Sequence, residues 1–151
     1  FRLRGVPSFV FRTLYIQAGR GSPVAQELYR NLATANEKLT VLRDPASPDQ
    51  AEAILQILGE RQERVIVGSN VAGQIREIQL RLIVSFTLRT PSGEEPILPT
   101  EIRQQRDVTY NETFALSKES EEAMLYKDMR KDIVQQMLRR LSAVKSLTQN
   151  S

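Results

Sequence analysis

The feature that most constrains the fold is a strict alternation of side chains over residues 77–89. Apolar residues occupy every second position and polar or charged residues fill the positions between them, with Ile83 as the one apolar exception. A two-residue period is typical of an antiparallel strand that packs one face on a core and turns the other toward water. The apolar set comprises Ile78, Leu80, Leu82, Val84, Phe86 and Leu88. The chain is therefore expected to build a sheet with one covered face.

Turn residues separate this strand from an extended neighbour on either side. Residues 68–73 and 90–96 are rich in Gly, Ser, Asn and Pro, which predicts connecting turns. The flanking segments 53–69 and 97–111 have strand-like patterns, and Gly59 predicts a β-bulge in the first of them. The second carries many Arg and Gln residues, which favours a position near a sheet edge or against a wet surface.

A further strand and a helix precede these three strands. Residues 9–17 are rich in β-branched and aromatic side chains and are largely apolar on both faces, which is typical of a well-covered strand. Ser22 suits the N-cap of a helix and Pro23 its first position, and the helix is expected to end near Asn36. Residues 41–50 contain two prolines, so they predict a loop after a short extended piece.

A long helix is expected to close the chain, with Ser117 as its N-cap. Acidic residues follow this serine, and basic residues lie near the far end, so both signs match the helix dipole. An apolar stripe runs along the helix at a spacing of three or four residues. The helix also holds all three methionines of the chain, which we interpret as core residues: Met124, Met129 and Met137.

These elements predict an α+β fold, a two-layer sandwich in which two helices pack on one face of the sheet. The sheet is expected to have four strands, mostly antiparallel or mixed, in the chain order β-α-β-β-β-α. The length fits one domain spanning residues 1–151. Within it we expect an extended segment at residues 1–8 and a flexible tail at 146–151.

Composition argues against an enzyme. The chain has no Cys and no His, so it lacks thiol nucleophiles, the commonest general base and the commonest metal ligands. Nucleotide-binding glycine loops and the nucleophile elbow are absent from the sequence. Acidic residues cluster only in loops, in a turn and near a helix start, where structural roles account for them. We therefore predict no catalytic residues, no metal and no cofactor.

Arginine is the more informative residue type. The net charge is +3, which allows an anionic partner without requiring one. Six arginines fall on or beside the three consecutive strands, and guanidinium groups suit phosphate and carboxylate. One interpretation is that these arginines lie on a solvated face of the sheet. The other is that this face binds a polyanionic ligand or the wall of another protein. The set is Arg61, Arg64, Arg76, Arg81, Arg103 and Arg106.

A basic α/β module that binds nucleic acid through an arginine-rich sheet face is the alternative. Such modules combine basic residues with exposed aromatic side chains on which bases stack. Aromatic residues make up only 6% of the chain, and Phe9, Phe11 and Phe86 fall in apolar patterns. Binding that weakens steeply with salt would favour this alternative.

Segments along most of the chain resemble one known family. They are FRLRG at residues 1–5, GSPVAQELYRNLATAN at 21–36, GQIREIQLRLIVSFTL at 73–88 and SKESEEAMLYKDMRKDIVQQMLRRL at 117–141. Their order and spacing are similar to those of the lipopolysaccharide-assembly lipoproteins, LptE, also called rare lipoprotein B. The resemblance covers about residues 1–141.

The resemblance implies a non-enzymatic protein of the Gram-negative cell envelope. Members of that family begin with a lipid-bearing cysteine, and by this comparison Phe1 stands two positions after it, so the lipid anchor lies outside this sequence. They plug the lumen of the LptD β-barrel, help it assemble and bind lipopolysaccharide during transport to the cell surface. We therefore expect a location at the periplasmic face of the outer membrane. The expected partners are an LptD-type barrel and lipopolysaccharide, with no nucleic acid.

The basic positions with which the family binds its ligand are matched here in part. Lys118 matches the position at the start of the last helix. The position in the turn before the signature strand aligns with Val71, which has no charge, so Arg76 or Arg64 is expected to substitute for it. Arg81 departs from the family pattern, in which apolar residues are commoner, and is a further candidate for contact with lipopolysaccharide phosphates.

Overall fold

Five strands and two α-helices make up the part of the chain that the computed structural model describes, namely residues 9–35, 39–43, 46–72, 75–111 and 115–147. A short 3-10 helix, Pro48–Gln50, precedes the third strand. In chain order the elements are β1 (Thr13–Gln17), α1 (Pro23–Ala35), β2 (Thr40–Leu42), β3 (Ala53–Ser69), β4 (Ile75–Arg89), β5 (Ile97–Asn111) and α2 (Ala115–Ser142).

The strands form one mixed sheet in the order β2-β1-β3-β4-β5. β1 runs parallel to both of its neighbours, and β4 runs antiparallel to β3 and β5. β1 pairs with β3 only from Ala53 to Gln56, whereas β4 pairs with β3 from Ile54 to Ser69. The outer part of the sheet, beyond β1, is therefore a long three-stranded ribbon.

Both helices pack on the same face of this sheet. The apolar set of the β4 alternation is buried in one core with side chains of both helices, as the sequence predicts. Burial of this apolar surface is the main term that holds the two layers together. Fully buried members from the two helices include Val24, Leu28 and Leu32 of α1 and Met129, Ile133 and Met137 of α2.

Two β-bulges interrupt the register between β3 and β4. Leu58 and Val67 are the extra residues, and the first confirms the bulge predicted near Gly59. Before the first bulge, odd-numbered side chains of β3 such as Leu55 belong to the helix-side core. Beyond it the even-numbered positions are the ones opposite core-facing residues of β4, because each bulge shifts the alternation by one residue.

The α+β sandwich with two helices on one face is confirmed, but the sheet has five strands and not four. The additional strand, β2, has only three residues and pairs in parallel with β1 at the edge of the sheet. Three residues are too few to show a two-residue period, so the sequence indicates only a short extended piece there. The arginine- and glutamine-rich β5 forms the opposite edge, as predicted.

One predicted helix start is confirmed and the other is wrong. Ser22 caps α1, since the Ala25 amide donates to its Oγ at 3.0 Å. α2 begins at Ala115, so Ser117 lies inside its first turn, a place where serine is also compatible with a helix. The segment 1–8 and residues 148–151 of the expected tail lie outside the described residues. Among the described helices, none is both long and apolar enough to cross a membrane.

Candidate functional site

The sheet face opposite the helices carries the polar half of the β4 alternation, and we call it the open face. Its central side chain is Arg81, which lies two positions before Ile83 and therefore points to the same face. Two rows of cross-strand neighbours define the surface: Glu63–Arg81–Gln105 and Arg61–Ile83–Arg103. The open face is therefore a polar surface built on β3, β4 and β5.

Carboxylates pair with three arginines of the open face, Arg61, Arg81 and Arg103, whereas Arg89 donates to the amide oxygens of Gln56 and Gln17. Arg61 Nε lies 3.1 Å from Glu63 Oε2, and Arg81 Nη1 lies 3.8 Å from the other oxygen of the same carboxylate. Arg103 Nε donates to Glu101 Oε2 at 2.7 Å, and this hydrogen bond together with the carboxylate charge raises the pKa of Arg103. The surface is a network of paired charges and not a bare cationic platform.

Ile83 is buried within this network although no helix covers it. Its side chain is only 2% exposed. Its cross-strand neighbours are Arg61 and Arg103, and arginine side chains cover apolar surface with their aliphatic stems while the guanidinium stays in water. The ion pairs of the open face therefore also cover a small apolar centre.

Aromatic side chains for stacking are missing from the described part of the open face on β3, β4 and β5. Phe86 of β4 is fully buried on the helix side. A platform for single-stranded nucleic acid needs exposed rings beside unpaired basic groups. The paired arginines and the buried phenylalanine therefore do not favour the nucleic-acid alternative.

Two other arginines of the sheet lie on its helix side and join it to α2. Arg64 Nε donates to Glu122 Oε1 at 2.9 Å, and Arg106 Nη2 lies 2.6 Å from Asp132 Oδ2. The structure thus divides the arginines of the strands between two faces. The single arginine-rich face that the sequence suggests does not form.

Tyr126 strengthens the same junction between helix and sheet. Its hydroxyl donates to the backbone carbonyl of Glu63 at 2.7 Å. Burial, and after it the charge of Glu122, raises the pKa of Tyr126, because both disfavour the phenolate. α2 is therefore fixed over β3 by one hydrogen bond to backbone and one ion pair.

The residues predicted to bind ligand fall in two places. Arg76 is two positions before Ile78 and so lies on the helix side near the start of β4, and Arg64 is on the helix side of β3. Lys118 belongs to the first turn of α2, which follows directly after the β5 strand that pairs with this part of β4. Arg81 is on the open face, so the thickness of the sheet separates it from the others.

We call the region formed by Arg64, Arg76 and the first turns of α2 the distal end. Exposed aliphatic side chains accompany it on the β3–β4 hairpin, where Ile66 is 54% and Val67 55% exposed. Met124 of α2 is 65% exposed, which corrects its interpretation as a core residue.

Sequence reasoning missed this apolar component of the distal end. The available signal was the run VIVGSNV at residues 65–71, where the alternation of polar and apolar residues breaks down. The distal end thus places basic and apolar side chains next to each other, which suits an amphipathic ligand.

Comparison with known proteins gives one family and several similar folds. The family model described as LptE, lipopolysaccharide-assembly, matches residues 11–141. The solution NMR structure of the uncharacterized lipoprotein B from Nitrosomonas europaea is 35% identical to this chain, with a TM-score of 0.79. That match covers 95% of this chain and 90% of the other. No curated protein sequence matches this chain.

Two crystal structures with lower identity share the fold. The minor lipoprotein from Acinetobacter baumannii is 20% identical with a TM-score of 0.69, over 90% of this chain and 94% of that one. The rare lipoprotein B from Shewanella oneidensis is 22% identical with a TM-score of 0.70, over 87% of this chain and 94% of that one. At these identities the likeness concerns the arrangement of strands and helices.

Proposed function

Because this chain belongs to the lipopolysaccharide-assembly family LptE, we propose that it is a non-enzymatic lipoprotein at the periplasmic face of the outer membrane. There it occupies the lumen of an LptD-type β-barrel, helps that barrel assemble and binds lipopolysaccharide during transport to the cell surface. The family match over residues 11–141 is the observation that carries the proposal.

The open face supports the role of a barrel plug. The interior of a large outer-membrane barrel is polar and wet. A surface of mutually paired charges, such as Arg61 with Glu63 and Arg103 with Glu101, stays hydrated at little cost and offers hydrogen-bond partners to a polar wall. An apolar sheet face in that position would lose this complementarity.

The distal end supports contact with lipopolysaccharide. This ligand carries phosphates on sugars that are joined to acyl chains, so its recognition needs cations and apolar surface side by side. Arg64, Arg76 and Lys118 are the candidate cations, and guanidinium groups bind phosphate with paired hydrogen bonds. The exposed side chains of Ile66 and Met124 supply apolar surface at the same end of the sheet.

A pull-down from detergent-solubilised outer membranes tests the proposed partner. The lipidated protein is used as bait at moderate and at high salt, and the eluate is analysed by mass spectrometry. We expect one large β-barrel protein at both salt concentrations, because a contact of large, shape-matched area resists screening. Recovery of nucleic acid that is lost at high salt, with no barrel, would contradict the proposal.

A pair of charge reversals makes the pull-down specific for the open face. Arg81→Glu and Arg103→Glu together are expected to lower barrel recovery, because they place carboxylates beside Glu63 and Glu101 and create repulsion across the surface. Arg139→Glu is the matched control, since it reverses an exposed charge near the end of α2. Thermal unfolding of each variant verifies that the chain remains folded.

A further inference from the structure

A cleft of about 480 Å³ opens where β1 ends and α1 begins. β1, α1 and β2 form a β-α-β unit in which the two strands are parallel, so their carboxyl ends lie side by side. In sheets of this kind ligands bind in the crevice outside the carboxyl ends of the strands. Gln17, the loop 19–22, the first turns of α1 and Arg43 line the cleft, and its volume lies in the range of small-molecule sites.

The described lining of the cleft holds two arginines and no carboxylate. Arg43 follows β2, and its guanidinium carbon lies 3.9 Å from the centre of the Tyr29 ring, which holds the group in place by a cation–π contact. Arg20 lies in the loop after β1 and is exposed. Within the described residues neither guanidinium has an ion-pair partner, unlike Arg30, which pairs with Glu27 at 2.7 Å.

The N-terminus of α1 does not itself supply the site, because the chain already fills it. Ser22 Oγ donates to a Glu60 carboxylate oxygen, and the Val24 amide lies 3.4 Å from the other oxygen of that carboxylate. The Ala25 amide donates to Ser22 Oγ. Glu60 lines the neighbouring cleft on the other side of the loop 19–22. Any anion in the first cleft therefore depends on the two arginines.

We propose that this cleft binds a phosphate group carried by a sugar, held by Arg20 and Arg43. A guanidinium presents a planar fork of N–H donors that matches two phosphate oxygens, and two such groups on one cleft can share a dianion. The amide of Gln26 adds a neutral polar group of the kind that orients a sugar, and so does the NH2 group of Gln17, whose Oε1 already accepts from Arg89 at 2.7 Å. The ligand is thus a phosphorylated sugar, either free or as the headgroup of a lipid.

This site goes beyond the proposed function, since it is separate from the distal end. Gln17 pairs with Gln56, which pairs with Thr87 of β4, whereas in the distal end Arg64 pairs with Leu80 and Arg76 lies near the start of β4. Seven to eleven positions along β4 at about 3.3 Å each give a separation of roughly 23 to 36 Å. One bound phosphate cannot satisfy both regions at once.

Nuclear magnetic resonance titration of the 15N-labelled chain with glucosamine 1-phosphate tests the proposal, with acetate at equal ionic strength as the reference anion. We expect saturable shifts of the amides of Gly19, Gly21 and Arg43 with the sugar phosphate only. The double variant Arg20→Gln/Arg43→Gln is expected to weaken binding roughly tenfold or more, since hydrogen bonds to charged groups are lost. Arg139→Gln is the matched control and is expected to bind as the unaltered chain does.

The same titration with lipopolysaccharide micelles distinguishes the two sources of the phosphate. Shifts with the free sugar phosphate assign a soluble ligand, and shifts at these amides with the micelles alone assign a lipid headgroup. Either result supports the site if the shifts are lost in the double variant. Equal shifts with acetate, or unchanged binding by the double variant, would overturn it. A failed barrel pull-down would refute the proposed function and leave this titration unaffected.

Discussion

Arg64 of β3 and Glu122 of α2 form an ion pair across the layers of the fold, with Nε and Oε1 2.9 Å apart. The Glu122 side chain is 12% exposed and that of Arg64 45%. α1 begins beside Glu60. The ion pair and the hydrogen bond from Tyr126 to Glu63 lie further along β3, where only α2 covers the sheet. They hold the first turns of α2, to which Lys118 belongs, beside the strand residues of the distal end.

This ion pair is expected to contribute measurably to stability. A double-mutant cycle with Arg64→Ala and Glu122→Ala should give a coupling free energy of roughly 0.5–1 kcal/mol in urea unfolding at low salt, because one partner is largely buried. The more exposed pair Arg103–Glu101 serves as the control and should couple more weakly, because solvent screens both groups. Equal coupling in the two cycles would show that burial of Glu122 does not strengthen the pair.

Glu27 of α1 is expected to make stability fall in acid. Burial tends to raise the pKa of this carboxyl, but hydrogen bonds from Arg30 and Asn31, both 2.7 Å long, outweigh it and the pKa lies below the ordinary value of 4.5. A lowered native pKa gives stability that is present above the unfolded-state pKa and is lost as the pH falls through the native one. Glu27→Gln should therefore be less stable than the unaltered chain at neutral pH.

The difference between Glu27→Gln and the unaltered chain should shrink as the pH falls below about 4.5 in urea titrations at several pH values. Glu119→Gln, an exposed position of α2, is the control substitution and should have little effect on stability at neutral pH. A constant difference across the acid range would mean that packing of Glu27, and not its charge, stabilises α1.

Ile83 tests whether the open face has a real apolar centre. Ile83→Ala should lower the free energy of unfolding by roughly 2–4 kcal/mol, since it removes buried methyl groups from a site that is 2% exposed. Ile66→Ala, at a site 54% exposed on the β3–β4 hairpin, is the matched control and should cost less than about 1 kcal/mol. Similar costs would indicate that the arginine stems do not shield Ile83 from water.

The distal end should carry most of the affinity for lipopolysaccharide. Arg76→Ala and Lys118→Ala are each expected to weaken binding roughly tenfold in a surface-plasmon titration, because each removes a charge-assisted contact with phosphate. Arg139→Ala is the control for loss of one positive charge. Retention of full affinity in the Arg76→Ala/Lys118→Ala double variant would exclude the distal end as the ligand site.

Regular periodicity made much of the fold predictable. The alternation around Leu82 identified β4 and its buried face, and Ser22 with Pro23 identified the start of α1. Prediction failed where an element was too short to show a period, or where a residue at a helix boundary was compatible with two positions in the helix. β2 has three residues, and Ser117 suits the first turn of a helix as well as its cap.

The face of the sheet on which each arginine lies could not be predicted from periodicity alone. A bulge leaves one residue without a cross-strand partner, and no residue type identifies that residue in the sequence. Gly59 indicates that a bulge is present but does not show that Leu58 is the extra residue. Counted from Ile57 without the bulge, Arg61 would lie on the helix side with Leu55. With Leu58 extra, Arg64 faces α2 and Arg61 joins the open face.

Between its two bulges, β3 turns even-numbered side chains toward the helices, whereas before the first bulge it turns odd-numbered ones toward them. Val67 adds a second residue, so the positions after it return to the alternation that held before Leu58. If Leu58 instead paired in regular register with β4, each later residue as far as Ile66 would change face and Glu60 would turn away from the start of α1. One half-exposed leucine thus decides which charges the protein presents to its helices and which to its surroundings.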